Sequence, residues 1–123
     1  MPYTIEVSEN KHYIITTVEG DLTNAQAIEQ NIKAHQLGAS MGISRYLVDL
    51  TASRYLGTTL DHYEFAYKDM QGPDMINRNA RVALLAAQDD YSHDFVETVS
   101  RNNGMDVSLF RDRQAAINHL EKD

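Results

Sequence analysis

The chain has 123 residues, 42% of them hydrophobic and 24% charged, a length and balance that fit one folded domain rather than a disordered segment. It contains no cysteine, which excludes disulfides, thiolate metal sites and cysteine nucleophiles. Eighteen acidic against eleven basic side chains give a net charge of −7, and the largest basic cluster is the pair Arg111 and Arg113, so nucleic acid is excluded as a partner. An acidic surface fits solubility and, among proteins, a basic partner.

The chain starts MPYTIEVSENKHY, with no basic region ahead of an apolar block, so no secretory signal is expected. The longest wholly apolar run, Val82 to Ala87, is far short of the roughly 20 residues of a membrane span. The expectation is a soluble, cytoplasmic, single domain over residues 1–123.

Residues Tyr3 to Ser8 alternate apolar and polar, the period of a half-buried strand. Glu9, Asn10 and Lys11 form a polar break, and His12 to Val18 resumes in β-branched and aromatic residues, so the spacing predicts a hairpin that ends at Gly20 and Asp21. Thr23 followed by Gln26 fits a capping box, and Ala25, Ile28, Ile32 and Ala39 continue at helical spacing to about Gly38. Arg45 to Leu50 is a short continuous run, as in a strand covered on both faces, and a loop is expected after it. Leu60, Tyr63, Tyr67 and Met70 mark a second helix that Gly72 and Pro73 stop. Arg81 to Ala87 is another buried strand, and Ser92 to Asn103 a third helix ending at Gly104. Val107 to Phe110 is the last strand, and Asp112 caps a final helix through Ala116, Ile117 and Leu120. The order is β-β-α-β-α-β-α-β-α, an α/β domain. After the hairpin, alternating strands and helices call for a mostly parallel sheet covered by helices, with Arg45 to Leu50 and Arg81 to Ala87 in its interior.

Known catalytic and cofactor signatures are missing: there is no GxGxxG, GxxxxGK[ST], GxSxG or HExxH. Of the five histidines, His35 falls at the border of the core face of the first helix, and His119 lies among charges, where solvent is the expected environment. Two acidic clusters carry a histidine. Asp61, His62 and Glu64 point to different sides of a helix, so they do not converge on one ion. Asp89, Asp90, Ser92, His93 and Asp94 match the start of a helix, where the dipole favours acids. Ser92, His93 and Asp94 are also too close in sequence to align as a triad on a helix. No metal site, no cofactor and no catalytic residue is expected.

The stretches RYLVDLTASRYLG, NARVALLA and GMDVSLFRDRQAAINHL, in this order of elements, resemble the STAS domain. More closely, they resemble its SpoIIAA-like, STAS/SEC14-type branch of small stand-alone bacterial proteins, over essentially the whole chain. The resemblance implies a regulatory or scaffold protein that works by protein binding, like the anti-sigma factor antagonists. In those antagonists the loop after the strand carries Asp-Ser-Ser-Gly-Leu, with a serine that a partner kinase phosphorylates. The matching positions here are Gly57, Thr58 and Thr59, so two hydroxyls are kept and the aspartate is not. Thr58 followed by Asp61 also fits an ordinary helix cap, so Thr58 and Thr59 are read as cap or phosphoacceptor. Phe65 lies opposite the apolar stripe of the second helix, and with Tyr55 and Leu56 of the preceding loop it is the candidate partner surface, for another protein or a second copy of this chain. The SEC14 side implies an alternative, a pocket for a small apolar ligand or lipid, with Tyr63 and Tyr67 as candidate lining. An unrecognised hydrolase is the least favoured reading.

Overall fold

The computed structural model describes residues 3–55, 79–94, 97, 98, 101 and 106–122. The second expected helix lies outside the described residues, and of the third, Asp94, Glu97, Thr98 and Arg101 are helical. The described elements are strands β1 (Tyr3–Val7), β2 (Ile14–Leu22), β3 (Arg45–Tyr55), β4 (Arg81–Ala86) and β5 (Asp106–Phe110), with helices α1 (Asn24–Met41) and α2 (Arg113–Glu121). They form one five-stranded sheet in the order β1-β2-β3-β4-β5. The β1–β2 hairpin is antiparallel, and β2, β3, β4 and β5 run parallel. The two continuous apolar runs are therefore interior strands, as their lack of alternation predicts.

The sheet buries both faces. Val18, Leu50, Leu84 and Val107 point toward α1, where Ala27 and Ile32 meet them, and Ile14 and Tyr46 meet Ala34 and Leu37 farther along the same helix. Leu47, Ala83, Leu85 and Tyr13 point the other way and pack on Ala116, Ile117 and Leu120 of α2. Both caps read from the sequence form. Thr23 and Gln26 make a capping box at α1, and Asp112 accepts from Ala115 N at the start of α2.

Three details differ from the sequence expectation. Gly38 does not end α1; the helix runs on to Met41, and Gly42, at φ 70°, is its left-handed cap. Gly38 is there for space. A Cβ on it would stand 2.1 Å from Tyr46 Oη and 2.8 Å from Ile43 O, so only glycine lets the helix approach β3 this closely. Second, the hairpin pairing stops at Tyr3 and Val18, ahead of Gly20 and Asp21, but these two residues do not end β2. After a register shift between Thr17 and Glu19, β2 continues beside β3, pairing Gly20 with Ser53 and Leu22 with Tyr55. Third, no loop follows Leu50. Pairing with β4 ends at Leu50 and Ala86, while β3 continues along β2 for five more residues, to Tyr55. The sheet thus ends in a notch, with a two-stranded ribbon on one side and the turn after β4 on the other.

Candidate functional site

The notch is built by ordinary backbone chemistry. Past Ala86 the chain turns, with Asp90 N donating to Ala87 O at 3.2 Å. Asp90 then folds its carboxylate back and accepts Ser92 N on Oδ1 at 2.9 Å, the local bond that aspartate makes readily in turns. This aims the side chain under the ribbon, and Asp90 keeps only 3% of its surface exposed. His93, three residues on, is also buried; its Nε2 lies 3.5 Å from Asp90 Oδ2 and 3.4 Å from Ser53 O. From the ribbon, Arg54 places Nη1 3.9 Å from Asp90 Oδ1. Burial opposes charge on Asp90, but the Ser92 hydrogen bonds and the nearby His93 and Arg54 outweigh it and hold the carboxyl below its usual range.

Between ribbon and turn is an open cleft of about 370 Å³, lined by Gly20, Asp21, residues 51–54, Ala87, Asp89 and Asp90. It lies at the carboxyl ends of β2, β3 and β4, where open parallel sheets commonly bind ligands. Beside it, Arg111 donates through Nη2 to Asp90 O at 3.0 Å and to Asp94 Oδ1 at 2.8 Å. The same guanidinium lies 4.4 Å from the ring centre of Tyr91, a cation–π contact. Tyr91 is 66% exposed, so this aromatic is held in place and offered to solvent. On the other side of the sheet end, Asp49 accepts Thr51 N and Thr51 Oγ1 on one oxygen and Arg113 Nη1 on the other, at 3.0, 2.7 and 2.8 Å. Burial disfavours the Asp49 charge as well, and these bonds again leave its pKa lowered.

The structure separates several residues that the sequence puts side by side. Ser92, His93 and Asp94 form no triad: Ser92 N serves Asp90, His93 turns inward to Ser53 O, and Asp94 binds Arg111. Asp90, His93 and Ser53 do not form one either. The same His93 nitrogen faces the carboxylate and the Ser53 carbonyl, whereas a triad needs the two ring nitrogens on different partners. The acids of this cluster diverge, with Asp89 exposed, Asp90 buried and Asp94 on Arg111, and no three metal-ligating side chains converge among the described residues. His35 is a core residue, stacked on Tyr46 with ring centres 4.2 Å apart, and burial pushes its pKa down to about 4. His119 is not a solvent residue as expected: it is partly buried, tilted against Phe110 at 5.3 Å, because α2 packs this side of its helix on β5. Burial lowers its pKa, with Asp106 opposing.

Of the expected site residues, Tyr55 ends β3 and is not in a loop. Leu56, Thr58, Thr59, Tyr63, Phe65 and Tyr67 lie outside the described residues, as do Asp61, His62 and Glu64. Sequence reasoning missed Ser53, Arg54, Tyr91 and Arg111, which three separate segments bring to the cleft. A signal was available for one pair only, the three-residue spacing of Asp90 and His93.

No helix among the described residues is long and apolar enough to cross a membrane. No protein-family model matches the sequence, and no curated protein matches it. A solved structure does: an uncharacterized protein of the DUF3478 family from Shewanella loihica PV-4, described as having a SpoIIAA-like fold. The two are 22% identical, the match covers 97% of this chain and 92% of the other, and the TM-score is 0.50. At that identity the likeness concerns architecture, and with the strand order, the opening hairpin and the two-sided helical cover it gives the conclusion that this chain has a SpoIIAA-like fold.

Proposed function

We propose that this protein is a non-catalytic regulatory or scaffold module that acts by binding another protein through the carboxyl end of its sheet. The observation that supports this is Tyr91, a large aromatic side chain two-thirds exposed yet fixed by Arg111, beside an open cleft. Tyrosine and arginine are the residue types that most often carry binding energy at protein interfaces, and prior fixing lowers the entropy cost of contact. The face adjoins the end of β3, and the proposal extends it into the segment after Tyr55. Leu56 and Phe65 belong to the contact surface there, and Thr58 or Thr59 caps a helix or accepts a phosphate. The proposed pattern is that of an anti-sigma factor antagonist with an altered phosphorylation loop.

The test is capture of a native partner by the immobilised chain, followed by quantitative mass spectrometry, alongside sedimentation to detect self-association. Tyr91→Ala should lower the recovery of a specific partner, or the dimer constant, at least about tenfold, the loss of one hot-spot contact. Its thermal stability should stay unchanged, because the ring is exposed. Capture and self-association both unaffected by Tyr91→Ala and by Phe65→Ala would reject the proposed surface.

A further inference from the structure

Resting on the protein-binding reading above, we infer that the cleft between the β2–β3 ribbon and the turn after β4 is a receptor for a basic side chain, a lysine or arginine presented by the partner. Its lining carries Asp21, Asp89 and Asp90 against one cation, Arg54. An anion entering there would meet three carboxylates; a cation would meet a net charge of −2, counting three acids and one base. Acidic residues alone do not make a binding site. Ser53 and Asp90, which line the cleft, are 6% and 3% exposed, and Ser53 Oγ and Asp90 Oδ2 have no hydrogen-bond partner among the described residues. Asp90 Oδ2 has the His93 ring nitrogen at 3.5 Å, too long for a well-made hydrogen bond.

Native proteins satisfy nearly all buried polar atoms, and a group left unsatisfied calls for an explanation. A donor-only cationic head supplies what is missing. An ammonium carries three N–H donors and a guanidinium five, and neither brings an acceptor to compete with the carboxylates. Ser53 Oγ and Asp90 Oδ2 are themselves sealed from solvent, so binding requires Ser53 to rotate about χ1 and turn its hydroxyl toward the head. Arg54 is itself 62% exposed and at 3.9 Å makes only a loose pair with Asp90, so an incoming cation displaces a weak contact. The exposed carboxylates of Asp21 and Asp89 guide the approach, and Tyr91 lies beyond the turn that forms the far wall. An acidic chain with this acidic cleft thereby selects a basic segment.

The probes are Nα-acetyl-arginine amide and Nα-acetyl-lysine amide, with neutral Nα-acetyl-norleucine amide as control, titrated into the ¹⁵N-labelled full chain. The amides of Ser53, Arg54 and Asp89 should shift saturably with both cations and not with the control. Asp21→Asn with Asp89→Asn, both at exposed positions that do not threaten folding, should weaken binding about tenfold, and Ser53→Ala about threefold. Equal shifts with the neutral control, or binding unchanged in the double variant, would overturn the assignment. A free diamine that binds far more tightly than either capped residue would also overturn it, in favour of a metabolite site. The two readings fail separately. Partner capture that survives in the double variant refutes the cleft and leaves the Tyr91 surface standing. Cation binding without any protein capture refutes the protein-binding reading, and the cleft's occupant with it.

Discussion

At the amino ends of β3 and β4, Arg45 donates to Leu120 O at 2.8 Å, and Arg81 to His119 O and Lys122 O at 3.2 and 2.6 Å. At the carboxyl ends of the same strands, Asp90 is buried under a loose ion pair and Ser53 has a hydroxyl with no hydrogen-bond partner among the described residues. Both ends place charge near the core, but only the first is closed. There the cations meet the orphan carbonyls that finish α2, which the helix dipole makes negative, and the hairpin turn joins in through His12 and Asn10 on Glu121. The difference lies around Ser53 and Arg54. His119 Nε2 at the amino end is also buried without a hydrogen-bond partner among the described residues, but the two arginines there are bonded to carbonyls, whereas Arg54 pairs only loosely with Asp90.

The largest effect that tests this contrast is Leu120→Ala. Leu120 is fully buried between α2 and the sheet, and its carbonyl is the one that Arg45 holds. Truncation leaves a cavity at the closed end and should cost about 2–5 kcal/mol. Urea unfolding measures it. A loss under about 1 kcal/mol would mean that α2 contributes little to closing the amino end.

Acid distinguishes the two ends next. His35 sits at the closed end, stacked on Tyr46, with its pKa lowered from 6.5 to about 4. A base whose folded pKa is depressed binds fewer protons folded than unfolded. Its stabilising share is therefore full above pH 6.5 and lost as pH falls toward 4. Asp90 and Asp49 also have lowered pKa values, but from 3.8, so their shares persist until the pH falls below that. Between pH 7 and pH 4.5 the protein should thus lose about 2 kcal/mol through His35 alone. In His35→Phe, which keeps the stacked ring, most of this pH dependence should disappear whatever the variant's absolute stability, leaving the share of His119, whose pKa burial also lowers. A slope that persists undiminished in His35→Phe would place the main acid-sensitive group elsewhere.

How much of this the sequence reveals depends on distance along the chain. Thr23 with Gln26, and Asp112 before α2, are legible because a cap is a contact across three residues. The runs Arg45–Leu50 and Arg81–Ala87 are legible because burial on both faces needs no alternation. Residues 51–55 are not, since Thr-Ala-Ser-Arg-Tyr has no strand signature and joins the sheet only because Gly20 to Leu22 pair with it. Gly38 reads as a stop and is a spacer, because the atom it makes room for is eight residues away on another element. The cleft is the extreme case. Ser53, Asp90 and Arg111 come from three segments, and only the register of the strands brings them together.

The smallest expected effect tests the contrast most directly, by removing one polar group from each end. Arg45→Met keeps the aliphatic stem and deletes the charged bond to Leu120 O, which is partly buried, so it should cost about 1–2 kcal/mol. Ser53→Ala deletes a buried hydroxyl that has no hydrogen-bond partner among the described residues, so no hydrogen bond to them is lost and a desolvated group is relieved. Stability should stay unchanged or rise by up to about 1 kcal/mol. Denaturant midpoints of both variants, measured with m-values to confirm an unaltered denatured state, give the comparison. A Ser53→Ala loss as large as that of Arg45→Met would show that the hydroxyl is structural, and the two ends would then be alike. A neutral or stabilised Ser53→Ala chain that also binds the arginine probe more weakly would show the opposite. The serine would then be kept at the expense of stability, as residues at binding sites commonly are.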